Sequence, residues 1–137
     1  MKRPSPAVEA FVKQRAHARC EYCQLPEGCS ELPFQIDHVV ARKHGGATGA
    51  ENLAYACLYC NSYKGPNLAG VDPLTGEVVR VVRLFNPRTD KWADHFDWRG
   101  AWLNGISPPG RATVHVLRMN EPEAVLVREN LIHEGKF

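Results

Sequence analysis

Cys20 and Cys23 form one Cys-x-x-Cys pair, Cys57 and Cys60 form a second, and a largely polar stretch separates them. Nothing else in the chain constrains the fold as tightly, because four thiolates meeting at one point would close the intervening segment into a loop with fixed ends. The five cysteines are an odd count, which argues against a complete disulfide framework. Two such pairs flanking an insert point instead to a tetrahedral zinc site in a reducing compartment, with disulfides or unrelated thiols as the alternatives. Cys29 is left over and is expected to be a free thiol.

At 137 residues the chain has room for one domain with a real core and a decorated tail. A net charge of +2 is too small for the whole-molecule field to argue for nucleic acid. Position says more, because many Lys and Arg fall in "ARKHGG", "NSYKG", "VVRVVRLFNPR" and "DWRG", where a phosphate could reach them and where solvated surface charge is the plain alternative. No run approaches the roughly 20 apolar residues of a membrane span, and "MKRPSPAVEA" lacks an apolar leader core. The expectation is an intracellular, cytoplasmic protein with no membrane partner.

Ser5-Pro6 is a helix start, a hydroxyl cap followed by a residue whose missing N–H costs nothing. The helix should run from Ala7 to about Arg19, with Val8, Phe11 and Val12 on one face, and deliver Cys20. "LPFQIDHVVARKHGG" suits a strand through Phe34 and Ile36 and on to Val39 and Val40, with Asp37 and His38 at its end and a loop at Gly45-Gly46. A helix is expected from Asn61, stopped by Gly65-Pro66. Further on, turns at Asp72-Pro73 and Thr75-Gly76 precede a β-branched strand, and "HFDWRGAWLNGIS" reads as a strand pair. "SPPGRATVHVLRMN" reads as helix or strand. In "NEPEAVLVRENLIHEG", Asn120 should cap a helix striped by Val125, Leu126 and Ile132. Trp92, Trp98 and Trp102 are expected to build a small second core, with His95 packed among aromatics.

Chemistry gathers around Asp37, His38 and Asn61. A carboxylate and an imidazole side by side can divide two tasks: Asp37 offers a hard oxygen to a divalent cation and His38 takes a proton from water. Asn61 adds a neutral oxygen ligand. So few protein ligands suit Mg²⁺, which keeps waters and completes its shell with phosphate oxygens.

"IDHVV", "ENL" and "CNSYKG", bracketed by "CEYC" and "CLYC", resemble an HNH endonuclease of the zinc-containing ββα-metal type, and "LFNPR…W..HF.W" resembles the C-terminal extension of small bacterial members. The family's letters fall on His38, Asn52 and Asn61, the last being Asn instead of His. The resemblance implies an α+β fold: one domain, 1–137, with a zinc-bound core over 5–66 and an extension over 67–137 packed on it. It implies structural zinc on Cys20, Cys23, Cys57 and Cys60, and catalytic Mg²⁺ or Mn²⁺ on Asp37 and Asn61. His38 would be the general base, and Asn52 would bond to backbone so that His38 points inward. The implied reaction is phosphodiester hydrolysis, most naturally of double-stranded DNA, leaving 5′-phosphate and 3′-hydroxyl.

Lys64, one turn beyond Asn61, could face the phosphate, as could Arg42, Lys43 and His44. Asn52 read alone is equally a turn residue, and "RKHGG" equally a solvated loop. Two other functions compete: a zinc-ribbon module that grips nucleic acid without cutting it, and cleavage of RNA. A pure binder has no reason to space Asp37, His38 and Asn61 in this way; phosphate chemistry does not separate DNA from RNA.

Overall fold

The computed structural model describes residues 3–74 and 78–137, so the turn expected at Thr75-Gly76 lies outside the described residues. The fold is α+β, and the chain divides into two compact units, Met1–Leu68 with Asn86–Thr89 and Ala69–Phe85 with Asp90–Phe137.

In the first unit, helix α1 spans Pro6–Arg15, and its Ser5 cap accepts from the Val8 N–H at 3.2 Å. It stops short of Arg19 because His17 and Ala18 adopt φ of 55° and 54°. This left-handed reversal, unusual for residues with a Cβ, carries Arg19 into an antiparallel bridge with Pro26. Cys20 is therefore delivered by a turn and not by the helix. Val12 is fully buried, whereas Phe11, expected beside it, is 52% exposed and lies under the Arg15 guanidinium.

Strand β1 (Gln35–His38) pairs antiparallel with β2 (Leu53–Ala56), setting Asp37 opposite Ala54 and His38 opposite Leu53. Val39 and Val40, expected to continue the strand, lie beyond it. Every residue of β2 is buried, and Val12, Leu53 and Tyr55 form a core cluster against which Val8, Ala16, Phe34 and Ile36 pack. Arg15 ties α1 to this ribbon, donating to the carbonyls of Ala50 at 3.0 Å and Leu53 at 2.7 Å.

Helix α2 (Leu58–Lys64) begins before Asn61, where the sequence reading had started it. The sulfur of Cys57 caps it, accepting from the Cys60 N–H, so the second cysteine pair is itself the first turn of the helix. Gly65 ends it with φ 50°. The result is ββα.

In the second unit, β3 (Ala69–Asp72) pairs with β4 (Arg80–Arg83), and β5 (Phe96–Arg99) with β6 (Trp102–Gly105), both antiparallel. "SPPGRATVHV" resolves as helix α3 (Pro108–Val116), capped by Ser107 Oγ. Its first turn lies so close to the chain that a Cβ on Gly110 would sit 2.0 Å from the His95 carbonyl oxygen; only glycine fits there. Helix α4 spans Pro122–His133 with Glu121 at its cap position and no side-chain cap. Asn120 is occupied elsewhere, bonding the N–H and carbonyl of Leu103 at 2.9 and 2.7 Å. Leu126 and Ile132 are exposed, while Leu131 and the Arg128 guanidinium turn inward. Arg128 donates to the carbonyls of Ala101 and Met119 and lies over the Trp98 ring.

Trp92 and Trp98 join an aromatic core as expected, with Phe85 and Phe96 as its other members and His95 at the edge of Phe85, whereas Trp102, expected in it, is half exposed. Among the described residues no helix is long and apolar enough to cross a membrane.

Candidate active site and metal centre

Alternation along β1 sends Gln35 and Asp37 to one face and Ile36 and His38 to the other. Helix α2 crosses the first of these faces. The Asn61 amide donates to Gln35 Oε1, and one turn on the Lys64 ammonium meets Asp37 at 3.2 Å from Oδ1 and 3.1 Å from Oδ2. Asp37 and Asn61 thus share a face, while His38 lies at the end of the same strand.

Asp37 is 4% exposed and receives a second hydrogen bond, 2.6 Å from the Tyr22 hydroxyl. Burial pushes its carboxyl above the ordinary value, against the pull of the Lys64 ammonium and the Tyr22 hydroxyl. Lys64, 1% exposed, also donates to the His38 carbonyl at 3.1 Å. This differs from a phosphate-facing lysine: its charge is spent inside the protein, because a buried carboxylate needs a partner.

His38 is half buried, with Nε2 3.1 Å from Thr48 Oγ1. Burial lowers its pKa, and the neighbouring Arg42 and Lys64 cations add to that against the opposing pull of Asp37. The balance favours the neutral form of the ring. Asn52 clamps the loop that carries Thr48: its Oδ1 accepts from Val40 N at 2.9 Å, and its Nδ2 donates to the carbonyls of Val40 at 2.9 Å and Ala47 at 2.8 Å. The clamp depends on Gly46, where a Cβ would lie 1.7 Å from the Val40 carbonyl oxygen. Arg42, Lys43 and His44 form an exposed helical turn, separated from the end of β1 by three residues.

Cys20, Cys23, Cys57 and Cys60 are all buried, with their sulfurs within 4.8 Å of one another. A tetrahedron of Zn–S bonds has edges of about 3.8 Å, and Cys23 Sγ lies 3.8 Å from Cys57 Sγ. Each pair turns a backbone N–H onto its first sulfur, Cys23 N to Cys20 at 3.5 Å and Cys60 N to Cys57 at 3.4 Å. Hydrogen bonds from Cys20, then Cys23 and Cys60, hold the Cys57 thiol far below its ordinary range. The same contacts, Cys20 foremost, push Cys23 and Cys60 up, the pattern of a thiolate sharing its charge with neighbouring thiols. Size, burial and donor set all fit structural zinc. Cys29 stands apart, unpaired by any disulfide.

Residues 20–67 match the profile of the HNH endonuclease family. This stretch is an HNH segment of the zinc-binding type. No curated protein and no solved structure matches the chain. The match of residues 20–67 to the HNH family points to nuclease activity and to nucleic acid as the partner.

Within the HNH segment, three side chains next to the predicted residues went unread in the sequence. Tyr22 was legible only as the spacer of "CEYC"; Gln35 carried a signal in its period-two relation to Asp37; Thr48 carried none. Beyond the segment, Arg83 pairs with Asp90 and Arg88 with Glu21 on the first cysteine turn, which accounts for two of the arginines that sequence position had offered to a phosphate.

Proposed function

We propose that the chain is a metal-dependent endonuclease hydrolysing phosphodiester bonds of double-stranded DNA, with His38 as general base. What supports the reading most is the HNH match over residues 20–67, within which the half-buried His38 imidazole lies beside Thr48 at the end of the strand that also carries Asp37.

In the tautomer whose Nε2–H donates to Thr48, Nδ1 of His38 would keep the lone pair that takes a proton from the attacking water. Asn52, by closing the loop around Thr48, maintains the orientation of that ring. Asp37 and the Asn61 side-chain oxygen are the residues that would hold Mg²⁺ or Mn²⁺, whose chemistry is charge stabilisation on a phosphoryl oxygen and on the leaving 3′ oxygen. Oxygen donors and low ligand charge fit such a hard cation and fit zinc poorly. Arg42, Lys43 and His44, exposed on the turn after β1, would meet the phosphate backbone, and Lys64 would hold Asp37 in place of contacting phosphate. The products would carry 5′-phosphate and 3′-hydroxyl.

The test is nicking of supercoiled plasmid with Mg²⁺, Mn²⁺ or EDTA. Wild type should nick with either cation and not with EDTA, and His38→Ala should lose about 10²–10⁴-fold in rate. Because the His38 pKa is lowered, the acid limb of the wild-type profile should fall below about pH 6.5. Equal nicking by the two proteins overturns the reading.

A further inference from the structure

Tyr22 is fully buried, and its hydroxyl donates to Asp37 Oδ2 at 2.6 Å. It stands between Cys20 and Cys23, so the ring springs from the zinc turn itself. A hydrogen bond of that length to a buried carboxylate is charge-assisted and orients its acceptor strongly. We propose that Tyr22 is a positioning residue for the divalent cation at Asp37, fixing the carboxylate from the zinc turn so that the closed metal centre sets the geometry of the open one. The proposal rests on the reading of Asp37 as a cation ligand and goes beyond it by naming what aims that ligand.

Two donors share the carboxylate, and they differ in kind. Lys64 bears a full positive charge on both oxygens, so an incoming cation is repelled by it. Tyr22 is a neutral donor that keeps its bond to Oδ2 without that repulsion. Lys64 also donates to the His38 carbonyl at 3.1 Å, an acceptor that would keep the ammonium nearby if a cation took a share of Asp37. In a loaded site the phenol would then share with Lys64 the task of orienting the carboxylate, and would do so without repelling the cation.

The phenol is well placed for this because its backbone is tied at several points. Glu21 N donates to the Tyr55 carbonyl on β2 at 2.9 Å, and Cys20 N to the Leu25 carbonyl at 2.9 Å. The Glu21 side chain is paired with Arg88. Each cysteine pair therefore reaches one of the two cation ligands: Cys60 through its peptide bond to Asn61, and the Cys20–Cys23 turn through the Tyr22 ring. Residues that hold a metal's ligands in this way commonly change its affinity by about 10–100-fold.

The experiment uses the zinc-loaded full chain and Tyr22→Phe, which keeps the buried ring and removes only the hydroxyl. Mn²⁺ affinity is read by electron paramagnetic resonance without DNA, and zinc content is measured in parallel. Tyr22→Phe should keep its zinc and weaken Mn²⁺ binding about tenfold or more. The Mg²⁺ concentration for half-maximal nicking should rise in proportion, with the rate at saturating Mg²⁺ little changed. His38→Ala should do the reverse, losing rate and keeping Mn²⁺ affinity.

Unaltered Mn²⁺ affinity in zinc-loaded Tyr22→Phe overturns the proposal and leaves the nuclease reading intact. Unaltered affinity in Asp37→Asn overturns both. If Tyr22→Phe does not retain zinc, wild type labelled with fluorotyrosine carries the test: the Tyr22 fluorine resonance should move as Mg²⁺ is added, with a midpoint matching the cation affinity, and a resonance that stays fixed overturns the proposal.

Discussion

In the first unit the core cluster is Val12, Leu53 and Tyr55, and most of what else is buried is sulfur, charge or hydroxyl: four cysteines, Asp37, Lys64 and Tyr22. In the second unit Leu84, Phe85, Phe96, Leu103, Leu117, Met119 and Leu131 are buried, and the inward charges of Arg128 and Asp72 are met by carbonyls and by Arg111. Apolar burial yields its free energy with no ligand present. Converging thiols and a paired carboxylate yield theirs only when a metal or a counter-charge is in place. The contrast separates a unit whose order is conditional, and so can carry metal chemistry, from one ordered mainly by apolar packing.

The harshest way to break that contrast is Cys60→Ser. Structural zinc contributes on the order of 10 kcal/mol or more in small zinc-folded domains, so β1, β2 and α2 should lose amide exchange protection while β5, β6 and α3 keep theirs. Retained zinc content and an unchanged melting temperature would remove the clamp from the argument; simultaneous loss of both units would remove the contrast.

Phe96→Ala probes the other side. Phe96 is 1% exposed and touches the rings of Phe85 and Trp92, so its truncation should cost about 3–5 kcal/mol in the denaturant unfolding of the second unit. Zinc content and Mn²⁺ affinity should not change. A parallel loss of zinc would show that the first unit also depends on that packing.

The smallest effect is expected at Asp72. The hydrogen-bonded Arg111 guanidinium holds its carboxyl below the usual range. A folded-state value below the unfolded one, near 3.9, means that the pair's stabilisation is complete above about pH 4 and is lost as the pH falls through the folded value. Asp72→Asn should flatten the pH dependence of the second unit's unfolding in that acid range and leave the first unit's unchanged. An identical slope in both proteins would show that the pair contributes nothing, as partly exposed ion pairs often do.

Local signals were legible where one residue decides the outcome. Ser5-Pro6 and Ser107-Pro108 each open a helix, and each serine accepts the expected N–H, because a cap needs only neighbours in sequence. Asn120 carried the same kind of signal and caps nothing, since Leu103, distant in sequence, claims both ends of its amide. The start of α2 was misread for a related reason: a cysteine sulfur is not an ordinary cap until other thiols gather around it.

The candidate site divides in the same way. The four cysteines could be read from residue type and spacing, whereas Asp37, His38, Asn52 and Asn61 stand out as a candidate site mostly through the family resemblance. Whether Lys64 faced outward could not, because a lysine on a short helix reads as solvent-exposed until a buried carboxylate is brought beneath it.

From the residues alone came the four sulfur donors, the resemblance to the family whose profile residues 20–67 match, and the side chains proposed for proton transfer and cation binding. Three-dimensional structure decided which partners those side chains meet: Thr48 beside His38, Lys64 and Tyr22 on Asp37, Gln35 on Asn61. The physical reason is range. Donor chemistry and capping are encoded within a few residues, whereas satisfying a buried charge is a demand on whatever side chain the folded chain brings within about 3 Å.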